Sequence, residues 1–114
     1  MDTPDNSTLF FELLPIGAYR SNEAGQLLRA NAALVHMLGF DNEAAMIAAA
    51  TDVASELYVD GRQREQFKEL MARDGKVVNF VTELYHHKTH QRVWIRDNSH
   101  AVYSEQDELL YFEG

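Results

Sequence analysis

Apolar positions switch between helical and strand spacing along the chain, and the switches mark its elements. Phe10, Phe11, Leu13 and Leu14 crowd one side of a short helix that Ser7 can cap and that Pro15 and Gly17 end. Residues 16–21 then alternate. Burying Arg20 is costly, so Ile16 and Ala18 share the outer face with it, while Tyr19 and Ser21 turn inward. Asn22-Glu23-Ala24-Gly25 makes a tight turn, residues 26–30 return as a second strand, and Asn31 caps the helix that follows. In that helix Leu34, Met37 and Leu38 form the apolar stripe and His36 lies on the solvent side. Gly39 and Phe40 supply a glycine cap and its hydrophobic clasp. Residues 43–58 predict one or two short alanine-rich helical turns ending at Leu57-Tyr58-Val59. Asp60 and Gln63 have capping-box spacing before a helix that carries Phe67, Leu70 and Met71 on one face and stops at Gly75.

The remainder predicts a three-stranded meander over residues 76–86, 91–103 and 108–113. A turn with Thr89 and His90 at its tip sets Glu83 opposite Arg96, Tyr85 opposite Trp94 and Leu84 opposite Ile95, pairs of complementary charge or shape. Parity then puts Val78, Phe80, Thr82, Leu84, Val93, Ile95, Asp97, Ser99 and Ala101 on the core face. Val81, Glu83, Arg96, Asn98 and His100 take the other. A slip of two residues leaves this division intact, whereas a slip of one inverts it. Asp97 is the anomaly, a carboxylate assigned to the core.

The order of elements carries a series of familiar words. Leu14-Pro15-Ile16-Gly17-Ala18-Tyr19-Arg20-Ser21-Asn22 is followed by Gly25-Gln26-Leu27-Leu28-Arg29-Ala30-Asn31-Ala32-Ala33 and Met37-Leu38-Gly39-Phe40. Later come Leu57-Tyr58-Val59-Asp60, Arg92-Val93-Trp94-Ile95 and Tyr111-Phe112-Glu113-Gly114. The chain resembles a PAS domain over nearly its whole length, with residues 1–14 as a flanking segment and helix and residues 15–114 as the core. The resemblance implies an α+β fold: a five-stranded antiparallel sheet with the two N-terminal strands central, helices on one face, and a small pocket between them. It also implies a non-catalytic sensory module of a bacterial signalling protein, commonly joined to a diguanylate cyclase or a histidine kinase. Two places depart from the pattern. Lys88-Thr89-His90 stands where the family usually has Lys-Asp-Gly, so His90 is expected in a left-handed conformation. The chain also stops before the family's Asp-Ile-Thr motif and linker helix, which reads as a fragment of a longer protein.

Composition narrows the partners. Ten Lys and Arg against 18 Asp and Glu leave a formal charge of −8, and the basic residues are scattered, which argues against nucleic acid. The longest apolar run, residues 44–50, is far too short to span a bilayer, so no membrane contact is expected. The polar, acidic opening segment is the reverse of a signal peptide, and with no cysteine a cytoplasmic location follows. No Ser-His-Asp order in a motif context, glycine-rich phosphate loop or spaced carboxylate pair supports catalysis, so no catalytic residue is assigned.

The absence of cysteine excludes a covalently attached flavin or thioester chromophore. No histidine lies between His36 and His86, which disfavours haem held from the longer helix; a noncovalent flavin is compatible with the residues, but nothing favours it. His86, His87, His90 and His100 bring at most two imidazoles together, because His86 and His87 point to opposite sheet faces, and no metal is assigned.

Tyr19, Thr82, Asp97 and Ser99 are polar groups turned toward an interior that also holds Phe67, Met71 and Phe80. They form a candidate pocket in which Asp97 accepts hydrogen bonds from a donor-bearing ligand. The alternative is a filled core in which Asp97 bonds Thr82, Tyr19 or backbone amides. Phe10, Phe11, Leu13 and Leu14, with Val81 and Trp94 on the outer sheet face, form a candidate surface for homodimerisation and for passing a signal to an output domain.

Overall fold

In a computed structural model the chain is described over residues 6–50 and 57–114. Helix α1 (Asn6–Leu13) precedes the hairpin β1 (Tyr19–Ser21) and β2 (Leu27–Ala30). Two short helices, α2 (Ala32–Met37) and α3 (Glu43–Ala49), and a longer one, α4 (Arg62–Asp74), lead to β3 (Lys76–Tyr85), β4 (Arg92–Tyr103) and β5 (Leu109–Glu113). The α1 helix starts at Asn6, one residue before its expected cap, and the Ser7 side chain lies outside the described residues. Residues 51–56 of the expected alanine-rich turns also lie outside them.

The five strands form one antiparallel sheet in the order β2-β1-β5-β4-β3. The expectation that both N-terminal strands are central is therefore corrected: β5 is central and β2 is an edge. Strand β1 meets β5 through Arg20 opposite Glu113 and Ser21 opposite Phe112, while the far side of β2 is taken by α3. There the Glu43 carboxylate accepts from the Ala30 N–H at 2.9 Å and from the Arg29 guanidinium at 2.8 Å. The opposite edge is covered as well. Residues 57–59 run beside β3, with the Tyr85 N–H donating to the Leu57 carbonyl and the Val59 N–H to that of Glu83. Both edges are thus partly covered, β2 by Glu43 and the end of β3 by residues 57–59, which limits pairing with another chain.

The β3–β4 register differs from the expected one by two residues. Glu83 lies opposite Trp94, Leu84 opposite Val93, Tyr85 opposite Arg92, and Arg96 opposite Val81. The turn is centred one position earlier than expected, closed by the His86 N–H on the Gln91 carbonyl at 2.8 Å, with His90 at a φ of 57°. A two-residue slip preserves parity, so Thr82, Leu84 and Ser99 are buried while Val81 and Trp94 face out. Val78 is the exception: one extra residue in β3 between Val77 and Phe80 inverts the parity there. Val77 is 4% exposed and Val78 64%. Asn79 accommodates the bulge at a φ of 55°, its N–H held by the Asn98 side chain.

Leu38, Ala30, Met46, Leu84, Val35 and Phe40 form the buried core between the helices and the sheet. The α2 stripe is shifted from the expected one. Val35 is buried, whereas Met37 is 40% exposed at the rim of a cavity. The Asp60–Gln63 capping box does not close. Asp60 accepts from the Arg62 N–H, but the Gln63 side chain turns away to accept from the Thr82 hydroxyl. Ala18, expected on an outer face, is buried because α1 crosses to that side. Phe11 is buried there too, beneath the guanidinium groups of Arg20 and Arg29 at 5.4 and 5.3 Å from its ring centre.

Asn31 ties these pieces together. Its Oδ1 accepts from the N–H of Leu34, as the helix cap expected from sequence, and also from the N–H of Ala18. Its Nδ2 donates to the carbonyls of Phe11 and Ile16, all four contacts lying between 2.9 and 3.0 Å. Asn31→Ala leaves four backbone groups without this partner, and each buried orphan costs about 1–3 kcal/mol. The expected loss of stability in urea unfolding is about 3 kcal/mol or more; a loss under about 1 kcal/mol would show that the chain relaxes around the missing amide.

Candidate functional site

A cavity of about 470 Å³ lies between α2, α3 and residues 57–58 on one side and β1, β3 and β4 on the other. Its wall is mainly apolar, built from Leu34, Met46, Ala50, Leu57, Leu84 and Ile95. Tyr19 and Asp97 enter it from the sheet because odd positions in both strands face the helices. The Tyr19 hydroxyl donates to Asp97 Oδ2 at 2.8 Å, with a longer contact of 3.1 Å to Oδ1. Ser99 donates to Oδ1 at 2.9 Å and lies 2.5 Å from the Tyr19 hydroxyl.

Electrostatically the group is unbalanced. Burial pushes the Asp97 carboxyl above its ordinary range, and the hydrogen bonds from Tyr19 and Ser99 only partly oppose that. Burial, and then the nearby carboxylate, drives the Tyr19 phenol far upward, so it remains a donor. Tyr58 is pushed up to about 12, first by burial and next by Asp97, with Arg64 acting the other way. Among the described residues Asp97 has no ion pair. The remaining residues, 1–5 and 51–56, contain no Lys, Arg or His.

The structure divides the other residues singled out by sequence. Ser99 is buried behind Asp97, and Thr82 is 2% exposed and bonded to Gln63. Phe67 and Met71 line a second cavity of about 380 Å³ on the far side of Tyr58, with Arg64, Lys68, Tyr103 and Phe112. Phe80 packs edge-on against Phe67 at 5.9 Å rather than entering the first cavity. Phe11 is covered by the two arginines, and Leu14 is half-buried. Phe10, Val81 and Trp94 are exposed, as is Leu13. The sequence reading missed Tyr58, which lines both cavities. The only available signal was an aromatic residue at the end of a helical run, and its direction depends on the pairing of residues 57–59 with β3.

The histidines near the hairpin do other work. The His86 ring lies against Gly39, whose φ of 79° and lack of a Cβ permit the contact. His87 stacks on Phe40 at 4.3 Å, and Lys88 pairs with Asp41 at 2.8 Å. Among the described residues no three His, Asp or Glu side chains gather as metal ligands.

This arrangement of sheet, short helices and interior cavity has close structural counterparts. The PAS domain of a protein from Colwellia psychrerythraea superposes with a TM-score of 0.73 over 94% of this chain and 88% of that one, at 14% identity. The chain has the PAS fold. An RNA-binding light-oxygen-voltage receptor gives a TM-score of 0.72 at 13% identity, covering 95% of this chain but 31% of that one. No family model matches the sequence, and no curated protein matches it. At these identities the PAS likeness is one of fold, and function rests on the site.

Asp97→Asn tests the electrostatic reading of the site. A carboxyl whose folded-state pKa is raised binds its proton more tightly when folded, so stability falls as pH rises from the unfolded value through the folded one. Asparagine keeps an acceptor for Tyr19 without the charge. Its melting temperature should therefore exceed that of the wild type at pH 7 by on the order of 5 °C, with the gap narrowing as the pH is lowered through the carboxylate range. A gap independent of pH would exclude the Asp97 charge as its cause.

Proposed function

We propose that the chain is a ligand-sensing module, and that the cavity beside Asp97 is where the ligand binds. The observation that carries this reading is a half-buried carboxylate, held by two hydroxyl groups and without an ion-pair partner among the described residues, in the wall of a mainly apolar cavity. Its size is within the range typical of small-molecule sites. The cluster is a binding arrangement rather than a catalytic one, since no histidine stands between the Ser99 hydroxyl and the carboxylate to act as a base. In the proposed role, occupancy shifts the packing of β1 and β5 and so alters an output domain carried on the same polypeptide. A diguanylate cyclase is the favoured output and a histidine kinase the alternative, both by analogy with proteins of this fold.

A homodimer is part of the proposal. The outward surface of α1 carries Phe10 and Leu13, 68% and 77% exposed, and the outer sheet face carries Trp94 and Val81. Large apolar side chains exposed in this way support an interaction surface where they adjoin one another. It also supports the second reading, a ligand-free interaction domain. Among the described residues no helix is long and apolar enough to cross a membrane; a cytoplasmic location belongs to the proposal and is supported by the lack of cysteine.

Native mass spectrometry of the purified chain and of an Ile95→Trp variant separates the two readings. The cavity reading expects bound small molecules in the wild type and their loss when the indole fills the space. Bare masses for both, each matching its own sequence, with no thermal shift of the wild type across a small-molecule library, would favour the interaction domain. Sedimentation equilibrium of Leu13→Glu and Trp94→Glu tests the dimer: the wild type should show dimer mass and the variants monomer. A monomeric wild type at high concentration would remove this surface from the proposal.

A further inference from the structure

Asp97 narrows the chemistry of the ligand, and the argument rests on the cavity being the binding site. A carboxylate has about four acceptor positions. Here two hydroxyl donors supply three contacts, the longest at 3.1 Å, and both are neutral. Acceptor capacity is therefore left facing the cavity, and the charge of the ionised carboxyl is met there by no cation.

The neighbouring elements do not supply the missing charge. Strand β1 presents Tyr19 and residues 57–58 present Tyr58, both neutral at physiological pH. The cavity-lining residues of α2 and α3 are Leu34, Met37, Leu38 and Met46, none of them titratable, and β3 contributes Leu84. Arg96, next to Asp97 in sequence, also borders the cavity, but alternation puts its side chain on the opposite sheet face, where it is exposed and makes no ion pair with Asp97. Arg64 lies beyond Tyr58, in the second cavity, with its guanidinium 3.4 Å from the Gly25 carbonyl.

We infer that the ligand is an organic cation: a primary or secondary ammonium carried on a compact apolar body. The ammonium donates an N–H bond to the remaining acceptor capacity of Asp97, and Tyr19 and Tyr58 line the same cavity with aromatic rings, a setting that suits a cation. Leu34, Met46, Ala50, Leu57 and Ile95 enclose the apolar body. A carboxylate or phosphate ligand would place like charges together in a poorly solvated space. A neutral alcohol would leave the Asp97 charge uncompensated.

Three probes share one apolar body and differ in the polar end: 2-phenylethylamine, 2-phenylethanol and 3-phenylpropionate. Titration calorimetry with the purified chain should give an affinity for the amine at least tenfold above that for the alcohol, with no measurable binding of the acid. In Asp97→Asn the amine should fall to the level of the alcohol, while circular dichroism and melting show the fold retained. Equal affinity for amine and alcohol, or amine binding unchanged in Asp97→Asn, overturns the inference. If the alcohol nevertheless binds and Ile95→Trp abolishes that binding, the cavity reading survives without the cation. If none of the three probes binds the wild type, both fall.

Discussion

Asn31 sits with no exposed surface where β2 turns into α2, and its amide joins four backbone groups from separate stretches of chain. Only a carboxamide of this length offers two acceptor and two donor positions at that point. Aspartate would set a charge beside two carbonyls, and serine could reach only part of the set. The consequences are architectural. Bonds to the Phe11 and Ile16 carbonyls hold the end of α1 on one side of the sheet, and the bond to Leu34 starts α2 on the other. The bond to Ala18 fixes the residue next to Tyr19, so the amide that closes the fold also sets where the cavity's phenol enters.

The roof of the cavity is held at its far end by the β3–β4 hairpin. The His87 N–H donates to the Leu38 carbonyl at 2.7 Å, the His87 ring covers Phe40, and the Lys88–Asp41 pair closes the contact outside. The ion pair is exposed and contributes little on its own. The backbone bond and the stacked rings carry the attachment. Asn31 thus fixes the start of α2 and the hairpin fixes its end, while Leu38 and Met46 pack with Leu84 in the core beside the cavity. Side chains in an unconstrained core would close such a space, since interiors pack to near-crystalline density.

Parity made much of this legible before any coordinates. Alternation in β1, β3 and β4 placed Tyr19, Thr82, Leu84, Asp97 and Ser99 inside, and an error of two in the hairpin register did no harm because faces repeat every two residues. The same rule failed at Val78, where one extra residue reverses it, and Asn79 gives that away only through its tolerance of positive φ. Asn31 could be read as a helix cap because a cap is local. Its bonds to Phe11, Ile16 and Ala18 are not. The gathering of cavity residues was least legible. Phe67 and Met71 have the same chemistry as Leu34, Met46 and Ile95, and which set lines which cavity depends on the position of Tyr58 between them. That position follows from the pairing of residues 57–59 with an edge strand, a contact more than 20 residues away in sequence.

Tyr19 is where binding and architecture compete. Its hydroxyl bonds Asp97 inside the cavity, while its backbone exchanges two hydrogen bonds with Gly114 at the end of β5, at 2.8 and 3.0 Å. Little slack exists there, since a Cβ on Gly114 would stand 2.8 Å from the Tyr19 ring. A ligand that takes the acceptor positions of Asp97 must either share the carboxylate with Tyr19 or displace its hydroxyl. Displacement moves a side chain rooted in the one strand joining the N-terminal hairpin to the meander. The next residue, Arg20, bonds Glu113 at 2.9 Å and lies over both Phe11 and Tyr111, so a shift of β1 is felt at α1. Contact along such a chain does not establish coupling. In the proposed sensor the coupling arises where ligand and Tyr19 meet at Asp97, and it can be no larger than the ligand's preference for one arrangement of Tyr19 over the other.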